Sequence, residues 1–302
     1  MKYSLIITAW NEPRTVKNNL ETILNPESHN LLEDMEIILV CPDQETHLAA
    51  EEVVIKTGFH NFIFIQDERK GKPTALNMGI AASSGEILIT MDGDVVIAKN
   101  SIPPLIECLS DNKIGGVSGR PVPVDTKETM LGFWANLLTE AAHRVRLVEM
   151  NKGNSYFMSG YLCAFRKYSD LILPANILSD DAWITLEILR KNLKIAYSPN
   201  SIVYVNFPRS ILDWFRQKRR SAGGYSQLKE YYRNKVKLPK RNFIEELKYV
   251  FFPLTYAKNF KQYLYALALY PMRFILWLII LFDNIRGNKS NSKLWVRIES
   301  TK

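Results

Sequence analysis

The sequence predicts an α/β fold in which a doubly wound, mixed central sheet carries helices on both faces. Near-continuous apolar runs recur at 3–8, 35–41, 61–66 and 86–91, and helical stretches at 13–24, 45–57 and 73–83 separate them. Runs that are apolar throughout suit strands covered on both faces, and their alternation with helices suits crossover connections. A third observation supports the same fold. Asn11, Asp43, Asp67 and the pair Asp92 and Asp94 each follow the carboxyl end of one run, where open α/β sheets bind their ligands.

Each element follows from its residues. Tyr3-Ser4-Leu5-Ile6-Ile7-Thr8 comes directly after Met1-Lys2, with no apolar signal segment, so this half is expected to stay in the cytosol. Met35 to Cys41 forms the second strand and residues 61–66 the third, while Glu86-Ile87-Leu88-Ile89-Thr90 leads the fourth into Met91-Asp92-Gly93-Asp94. No Gly-x-Gly-x-x-Gly follows the first strand, which argues against a dinucleotide fold. Gly71-Lys72-Pro73-Thr74 resembles half a phosphate loop, but Gln66 replaces its leading glycine and Pro73 its Ser/Thr, so that reading is rejected. Further on, Met130, Phe133, Trp134, Leu137, Leu138, Ala141, Val145 and Val148 recur at helical spacing and predict a core-facing helix over 126–149. Short strands are expected near 161–165, 194–198 and 202–205, and Ser179-Asp180-Asp181-Ala182-Trp183 opens a helix running to Lys191.

At 302 residues, 47% hydrophobic and 23% charged, the chain suits one large domain or two modest ones. Its formal net charge of +8 is regional: residues 207–248 hold twelve Lys or Arg against four Asp or Glu, and the rest sums to zero. Cys41, Cys108 and Cys163 are odd in number and lack Cys-x-x-Cys spacing, which argues for a reducing setting. His29, His47, His60 and His143 never fall three or four apart, so no zincin-type helix is available.

After the basic segment comes an apolar region, Tyr249 to Leu254 and then Tyr263 to Phe282, interrupted only by Pro271 and Arg273. From Gln262 it just reaches the roughly 20 residues of a membrane span. Lys258 and Lys261 precede it and Arg286, Lys289, Lys293 and Arg297 follow, so both flanks look cytoplasmic. A monotopic or re-entrant attachment, or a hairpin with 249–257, fits this better than one simple span, and a buried C-terminal helix is the plainer alternative. A basic helix beside an apolar one suits anionic lipid better than nucleic acid, and no nucleic-acid partner is expected.

The chemistry-bearing residues admit two readings each. A buried strand ending in Asp92-Gly93-Asp94 offers a hard-cation site, because Mg²⁺ is usually held by one or two carboxylates, waters and substrate phosphate. A solvated Asp-Gly turn explains the same residues. Asp180 and Asp181 suit a general base and its neighbour, or simply a helix cap and a favourable first-turn charge.

Taken in order, the motifs resemble glycosyltransferase family 2, the inverting nucleotide-sugar transferases with a GT-A fold and a Rossmann-like mixed central sheet. The matching residues are Ile7-Thr8-Ala9-Trp10-Asn11-Glu12, Asp43, Gly71-Lys72-Pro73-Thr74-Ala75-Leu76-Asn77, Asp92-Gly93-Asp94 and Asp180-Asp181. Gln217-Lys218-Arg219-Arg220 lies where membrane-linked members carry Gln-x-x-Arg-Trp, and Gly160 and Arg166 match a glycine and a basic residue before the acidic pair. The resemblance covers about residues 3–230 and implies a catalytic domain over 1–206, with a nucleotide-sugar half at 1–98 and an acceptor half at 99–206. Residues 207–302 then form a helical, membrane-associating region.

The resemblance also implies roles. Thr8, Ala9, Asn11, Glu12 and Asp43 hold the base and ribose of the donor, with Asp43 accepting from a ring N–H, which favours a UDP-sugar. Lys72, Asn77, Asp92 and Gly93 line the nucleotide and diphosphate, and Asp94 with Asp92 holds Mg²⁺ or Mn²⁺. Asp181 acts as base with Asp180 beside it; Gly160, Gln217, Arg219 and Arg220 serve the phosphates and the acceptor. The expected activity is transfer of a sugar to a hydroxyl of a lipid-linked or saccharide acceptor at the cytoplasmic face of the membrane. The alternatives are a polyprenyl-phosphate sugar synthase and a non-enzymatic basic binding protein. Cys41-Pro42-Asp43-Gln44 carries one acid where many members have two, so one base-binding acid carries over; Ser221 stands where processive enzymes have tryptophan, and the several clear spans of a translocating synthase are missing, so transfer of a single sugar is expected.

Overall fold

The structure, a computed structural model, describes residues 1–25, 29–232 and 249–285. The flanking cations Arg286, Lys289, Lys293 and Arg297, and the basic residues between 233 and 248, lie outside the described residues. Two compact units emerge. The first comprises Met1–Pro121, Glu149–Ala175 and Asp180–Val205; the second comprises Val122–Val148, Asn176–Ser179 and Asn206–Lys302.

The first unit is built on a mixed sheet. Its strands are β1 (Tyr3–Thr8), β2 (Met35–Cys41), β3 (Phe62–Gln66), β4 (Ile87–Asp92), β5 (Val96–Ile97), β6 (Ile114–Pro123), β7 (Leu162–Arg166) and β8 (Lys194–Val205), in the spatial order β3-β2-β1-β4-β7-β6-β8-β5. β1 pairs in parallel with β2 and β4, and β2 with β3, whereas β7 runs antiparallel to β4 and β6. The parallel strands are the apolar runs of the sequence, and Leu5, Ile6, Ile7, Ile37, Ile38 and Leu39 are fully buried.

Helices α1 (Pro13–Ile23), α2 (His29–Leu32), α3 (Gln44–Thr57), α4 (Lys72–Ala82), α5 (Ile102–Cys108) and α7 (Asp180–Arg190) belong to this unit. α4 lies so close to β1 and β2 that a Cβ on Gly79 would stand 2.5 Å from Ile6 Cγ2. The crossovers reverse direction at β1, which makes the gap between the carboxyl ends of β1 and β4 a topological switch point. There Thr8 and Asp92 are register partners.

A second polar cluster sits at the opposite end of the strands. Glu36 is 5% exposed and its Oε1 accepts hydrogen bonds from Ser4 Oγ at 2.5 Å, Ser84 N at 2.6 Å and Ser84 Oγ at 2.9 Å. A buried carboxylate persists only with donors of this kind. Burial works to raise its pKa, but the Ser4 and Ser84 donors outweigh burial and hold it below the ordinary glutamate value.

The long helix expected over 126–149 is α6 (Met130–Asn151). Its buried residues Phe133, Trp134 and Leu137 form the core of the second unit with Trp214 of α8 (Ile211–Tyr231), Ala257, and Ala266, Leu269 and Leu276 of α10 (Phe260–Ile285). The short α9 (Phe252–Tyr256) precedes α10, and Phe252 and Tyr256 pack on the same core. Trp134 Nε1 donates to Tyr265 O at 2.7 Å, and Arg219 of α8 forms a two-point pair with Asp283 of α10, both contacts at 2.9 Å.

Two expectations change. The separate strands near 194–198 and 202–205 are one strand, β8, continuous through Pro199. β5 pairs with β8 only at Val203 and Tyr204, so Pro199 takes no part in that ladder. β5, α5 and β6 were not anticipated from the sequence.

Candidate active site

The site lies in the first unit, at the carboxyl ends of β1, β2 and β4 and the start of α7. At the end of β1 the chain turns sharply through Asn11, whose φ of 57° falls in the left-handed region that asparagine tolerates better than most side chains. The turn is held by Asp43, the residue after Pro42. Asp43 Oδ2 accepts from Asn11 N at 2.7 Å, and its Oδ1 accepts from Thr46 N at 2.9 Å, capping α3. Thr46 Oγ1 in turn accepts from Glu12 N at 2.9 Å.

Asn11, Glu12 and Asp43 therefore converge, with Thr8 at the end of β1 and the buried Ala9 directly after it. Thr46 was missed as a positioning residue; the signal for it is a cap acid followed three residues later by a threonine. Burial works to raise the Asp43 pKa, but its hydrogen bonds with Thr46 and Asn11 outweigh burial and hold it below the ordinary aspartate value.

At the end of β4, Gly93 N donates to Thr8 O at 2.8 Å. Only glycine fits between the two acids, because a Cβ there would stand 2.5 Å from Ala9 Cβ and 2.8 Å from Ala9 Cα. This close approach turns Asp92 and Asp94 around one backbone bend.

The geometry adds a feature the motifs did not announce. Lys72, the first residue of α4, places its ammonium 2.6 Å from Asp92 Oδ1 and 2.9 Å from Asp180 Oδ2. The three side chains are 25%, 20% and 18% exposed, so the charges face one another with little solvent. Burial opposes charge on Lys72, but Asp180 and Asp92 outweigh it and hold the ammonium well above its ordinary pKa. Burial pushes the Asp92 carboxyl up to about 7; Lys72 pulls it down, while Asp94 and Asp180 add to the rise.

Asp181 faces a different set of partners. Its Oδ2 accepts from Gly160 N at 3.0 Å and its Oδ1 from Ala182 N at 2.8 Å, while Thr185 Oγ1 donates to Asp181 O at 2.7 Å. These bonds fix the rotamer of a carboxylate at the first turn of α7. Asn77 behaves otherwise than its motif suggests. Its amide pairs both ways with the backbone of Leu173, donating at 2.8 Å and accepting at 2.9 Å, which ties α4 to the chain beyond β7. Arg166 is similarly occupied, donating to Ile114 O at 3.0 Å and Leu109 O at 2.6 Å.

Gln217, Arg219 and Arg220 lie on α8, in the second unit. Gln217 Oε1 is buried without a hydrogen-bond partner among the described residues, and Arg219 is engaged by Asp283. The predicted donor-side and base residues thus all belong to the first unit, where Lys72 joins Asp92 to Asp180 and Asp43 joins Asn11 to Thr46, and the basic motif belongs to the other unit.

Among the described residues no group of three or more His, Cys, Asp or Glu side chains is placed to hold a metal alone. Asp92 and Asp94 fit a hard cation whose other ligands are water and phosphate oxygens, as Mg²⁺ and Mn²⁺ commonly accept.

A solved structure shares that arrangement of elements. A mannosyltransferase from Pyrobaculum calidifontis, solved in complex with GDP-Man and Mn²⁺, superposes with a TM-score of 0.66 at 18% identity, over 94% of this chain and 87% of that one. The likeness shows the GT-A fold. Poly-beta-1,6-N-acetyl-D-glucosamine synthase of Staphylococcus aureus (strain COL) is 25% identical over 277 residues, which is 88% of this chain and 62% of that protein. The same synthase of Staphylococcus epidermidis is 26% identical over 246 residues, 78% of this chain and 58% of that protein. The chain therefore spans less than two thirds of the length of these relatives. A family model described as "Glycosyltransferase like family 2" matches residues 2–224, so the elements that carry Asp43, Asp92, Asp94, Asp180 and Asp181 all fall within it. The chain belongs to glycosyltransferase family 2.

Proposed function

We propose that this glycosyltransferase moves a sugar from a UDP-sugar to a hydroxyl of a lipid-linked or saccharide acceptor at the membrane, with inversion and with a divalent cation. The observation that carries the reading is the Lys72 contact to both Asp92 and Asp180, which joins the end of β4 to the start of α7 in one polar centre.

The roles follow from chemistry. Asp43 is held ionised by Asn11 and Thr46 at the rim of the crevice, where a carboxylate accepts a base N–H such as that of uracil. Thr8, Ala9, Asn11 and Glu12 border the ribose. Asp92 and Asp94 hold Mg²⁺ or Mn²⁺, which when bound neutralises the charge developing on the diphosphate leaving group. Lys72 and Gly93 line the diphosphate, an ammonium and a backbone close enough to approach it. Asp181, oriented by Gly160 and Ala182, takes the proton of the acceptor hydroxyl as it attacks the anomeric carbon opposite the nucleotide. A single displacement inverts that carbon. Asn77, with its amide committed to Leu173, supports α4 and does not read the nucleotide. Arg220 and Gln217 serve the acceptor or phosphates, and Arg219 anchors α8 to α10 through Asp283. The catalytic region is assigned to 1–206, and 207–302 to attachment.

Membrane attachment rests on α10. It contains a stretch, Phe260–Asp283, long and apolar enough to cross a membrane. One face is already used: Ala266, Leu269 and Leu276 are buried in the core of the second unit. The opposite face exposes Phe260, Leu264, Leu267, Phe274, Leu278 and Leu281 at helical spacing. Crossing a bilayer would strip the packed face, whereas lying in the interface keeps it and buries the other. Lys258 and Lys261 are exposed at its start, and no Asp or Glu occurs from Phe252 to Phe282. That charge pattern fits an anionic lipid surface. Binding of donor is tested by calorimetry with UDP- and GDP-sugars in Mn²⁺; loss of all donor binding in Asp43→Ala is the expected result, and retention removes Asp43 from the site.

A further inference from the structure

Resting on that reading of the donor site, we infer that Lys72 is a positioning residue that holds the cation place beside Asp92 until a nucleotide diphosphate draws it away, so that metal and donor enter as a pair. The geometry carries this. The ammonium lies within ion-pair distance of one oxygen of Asp92 and one of Asp180, with all three side chains a quarter exposed or less. An ammonium and a divalent cation cannot share Asp92 Oδ1, because the two positive charges would face each other at contact distance with little solvent between them. Metal arriving alone must therefore break the Lys72–Asp92 pair without offering Lys72 a new partner.

A nucleotide diphosphate changes both sides of the exchange. Its phosphate oxygens are acceptors for the ammonium, and they complete the coordination of a cation that Asp92 and Asp94 alone leave mostly to water. Lys72 stands at the first residue of α4, behind Gly71 with φ of 99°, so its stem leaves a fixed helix end and only the side chain needs to swing. The same movement takes a counter-charge from Asp180, next to the assigned base. Occupation of the donor site is thereby felt at the start of α7 through one side chain. The coupling is reciprocal: diphosphate strengthens metal binding by the factor by which metal strengthens diphosphate binding.

The test is Mn²⁺ binding to the purified full chain, read by the electron paramagnetic resonance of free Mn²⁺, with and without UDP. In the absence of UDP, Lys72→Gln should bind Mn²⁺ about tenfold more tightly than the unaltered protein, and the gain in Mn²⁺ affinity on adding UDP should shrink by a similar factor. Lys72→Arg restores a cation between Asp92 and Asp180 and should return weak metal binding without UDP, which separates the exchange from a loss of folding. Thermal melts of both variants establish that they are folded. Metal affinity in Lys72→Gln equal to or weaker than that of the unaltered protein overturns the exchange while leaving a metal-dependent transferase standing. Strong Lys72-controlled coupling in a protein that transfers no sugar supports the exchange and sinks the transferase reading. Absence of Mn²⁺ binding in every form, with UDP present, overturns both.

Discussion

Gly160 N donates to Asp181 Oδ2 at 3.0 Å, and residue 160 has little room to spare: a Cβ there would stand 3.3 Å from Asp181 Cβ and 3.5 Å from its Cγ, a contact tight enough to push the carboxylate slightly aside. The glycine before β7 thus sets the position of the carboxylate at the start of α7. Gly160→Ala should keep the fold and donor affinity but lower kcat about tenfold, since displacements of well under 1 Å in a reacting group carry costs of that order. Steady-state kinetics of the variant beside its thermal melt check this; an unchanged kcat means that Asp181 does not need its present position.

Asp181→Asn removes the proposed proton acceptor while keeping most of the geometry. Transfer to a hydroxyl acceptor should fall by about 10²- to 10⁴-fold, the usual worth of a positioned general base, with donor binding intact. Retention of full transfer with a polyprenyl phosphate acceptor, which is already an anion, would identify the chain as a polyprenyl-phosphate sugar synthase.

Glu36 makes a prediction about pH. Its folded pKa lies below the ordinary value because the Ser4 and Ser84 donors outweigh burial. Such a group contributes stability that is fully present above the unfolded pKa of about 4.3 and is lost as the pH falls through the lower, folded value. Glu36→Gln places an amide against three donors and should cost about 2 kcal/mol at neutral pH. It should also flatten the decline in unfolding free energy between about pH 5 and pH 3. Urea titrations across that range measure both effects, and parallel curves for the two proteins would remove Glu36 from the account.

Attachment by the exposed face of α10 predicts a dependence on lipid charge and on apolar area. The triple change Leu264→Ser, Leu267→Ser and Phe274→Ser should reduce binding to anionic vesicles by at least about tenfold, from the area each residue withdraws. Sedimentation with vesicles of 30 mol% anionic lipid against neutral ones reads this out at roughly physiological salt. Unchanged vesicle binding, or loss of a dimer in light scattering instead, would give the stripe to a second copy of the chain.

Much of this was legible from residues alone, for identifiable reasons. β1, β2 and β4 are almost continuously apolar because both faces are covered, with Ser4, Glu36 and Thr90 as buried polar exceptions, and their polar carboxyl ends mark the crevice. β6 was hidden. Its sequence Ile-Gly-Gly-Val-Ser-Gly-Arg-Pro-Val-Pro reads as turns, yet the glycines are spacers: a Cβ on Gly115 would lie 2.5 Å from Ile188 Cγ2, and one on Gly119 would lie 2.9 Å from Ser201 O. The need for a missing side chain is a property of the neighbour and leaves no local signal. Lys72 and Asn77 show the same limit within the site. Their motif places them on α4, but their partners, Asp180 and Leu173, are about a hundred residues away in sequence and come together only through the sheet.

The proposed reaction is metal-dependent transfer from a uridine nucleotide sugar. The most direct measurement is release of nucleoside diphosphate from a panel of UDP- and GDP-sugars, with membrane lipid as the acceptor source, in Mn²⁺ and in EDTA. UDP should be released from at least one UDP-sugar, and EDTA should abolish that release. Preference for a GDP-sugar would contradict the role of Asp43, and release indifferent to EDTA would contradict the roles of Asp92 and Asp94.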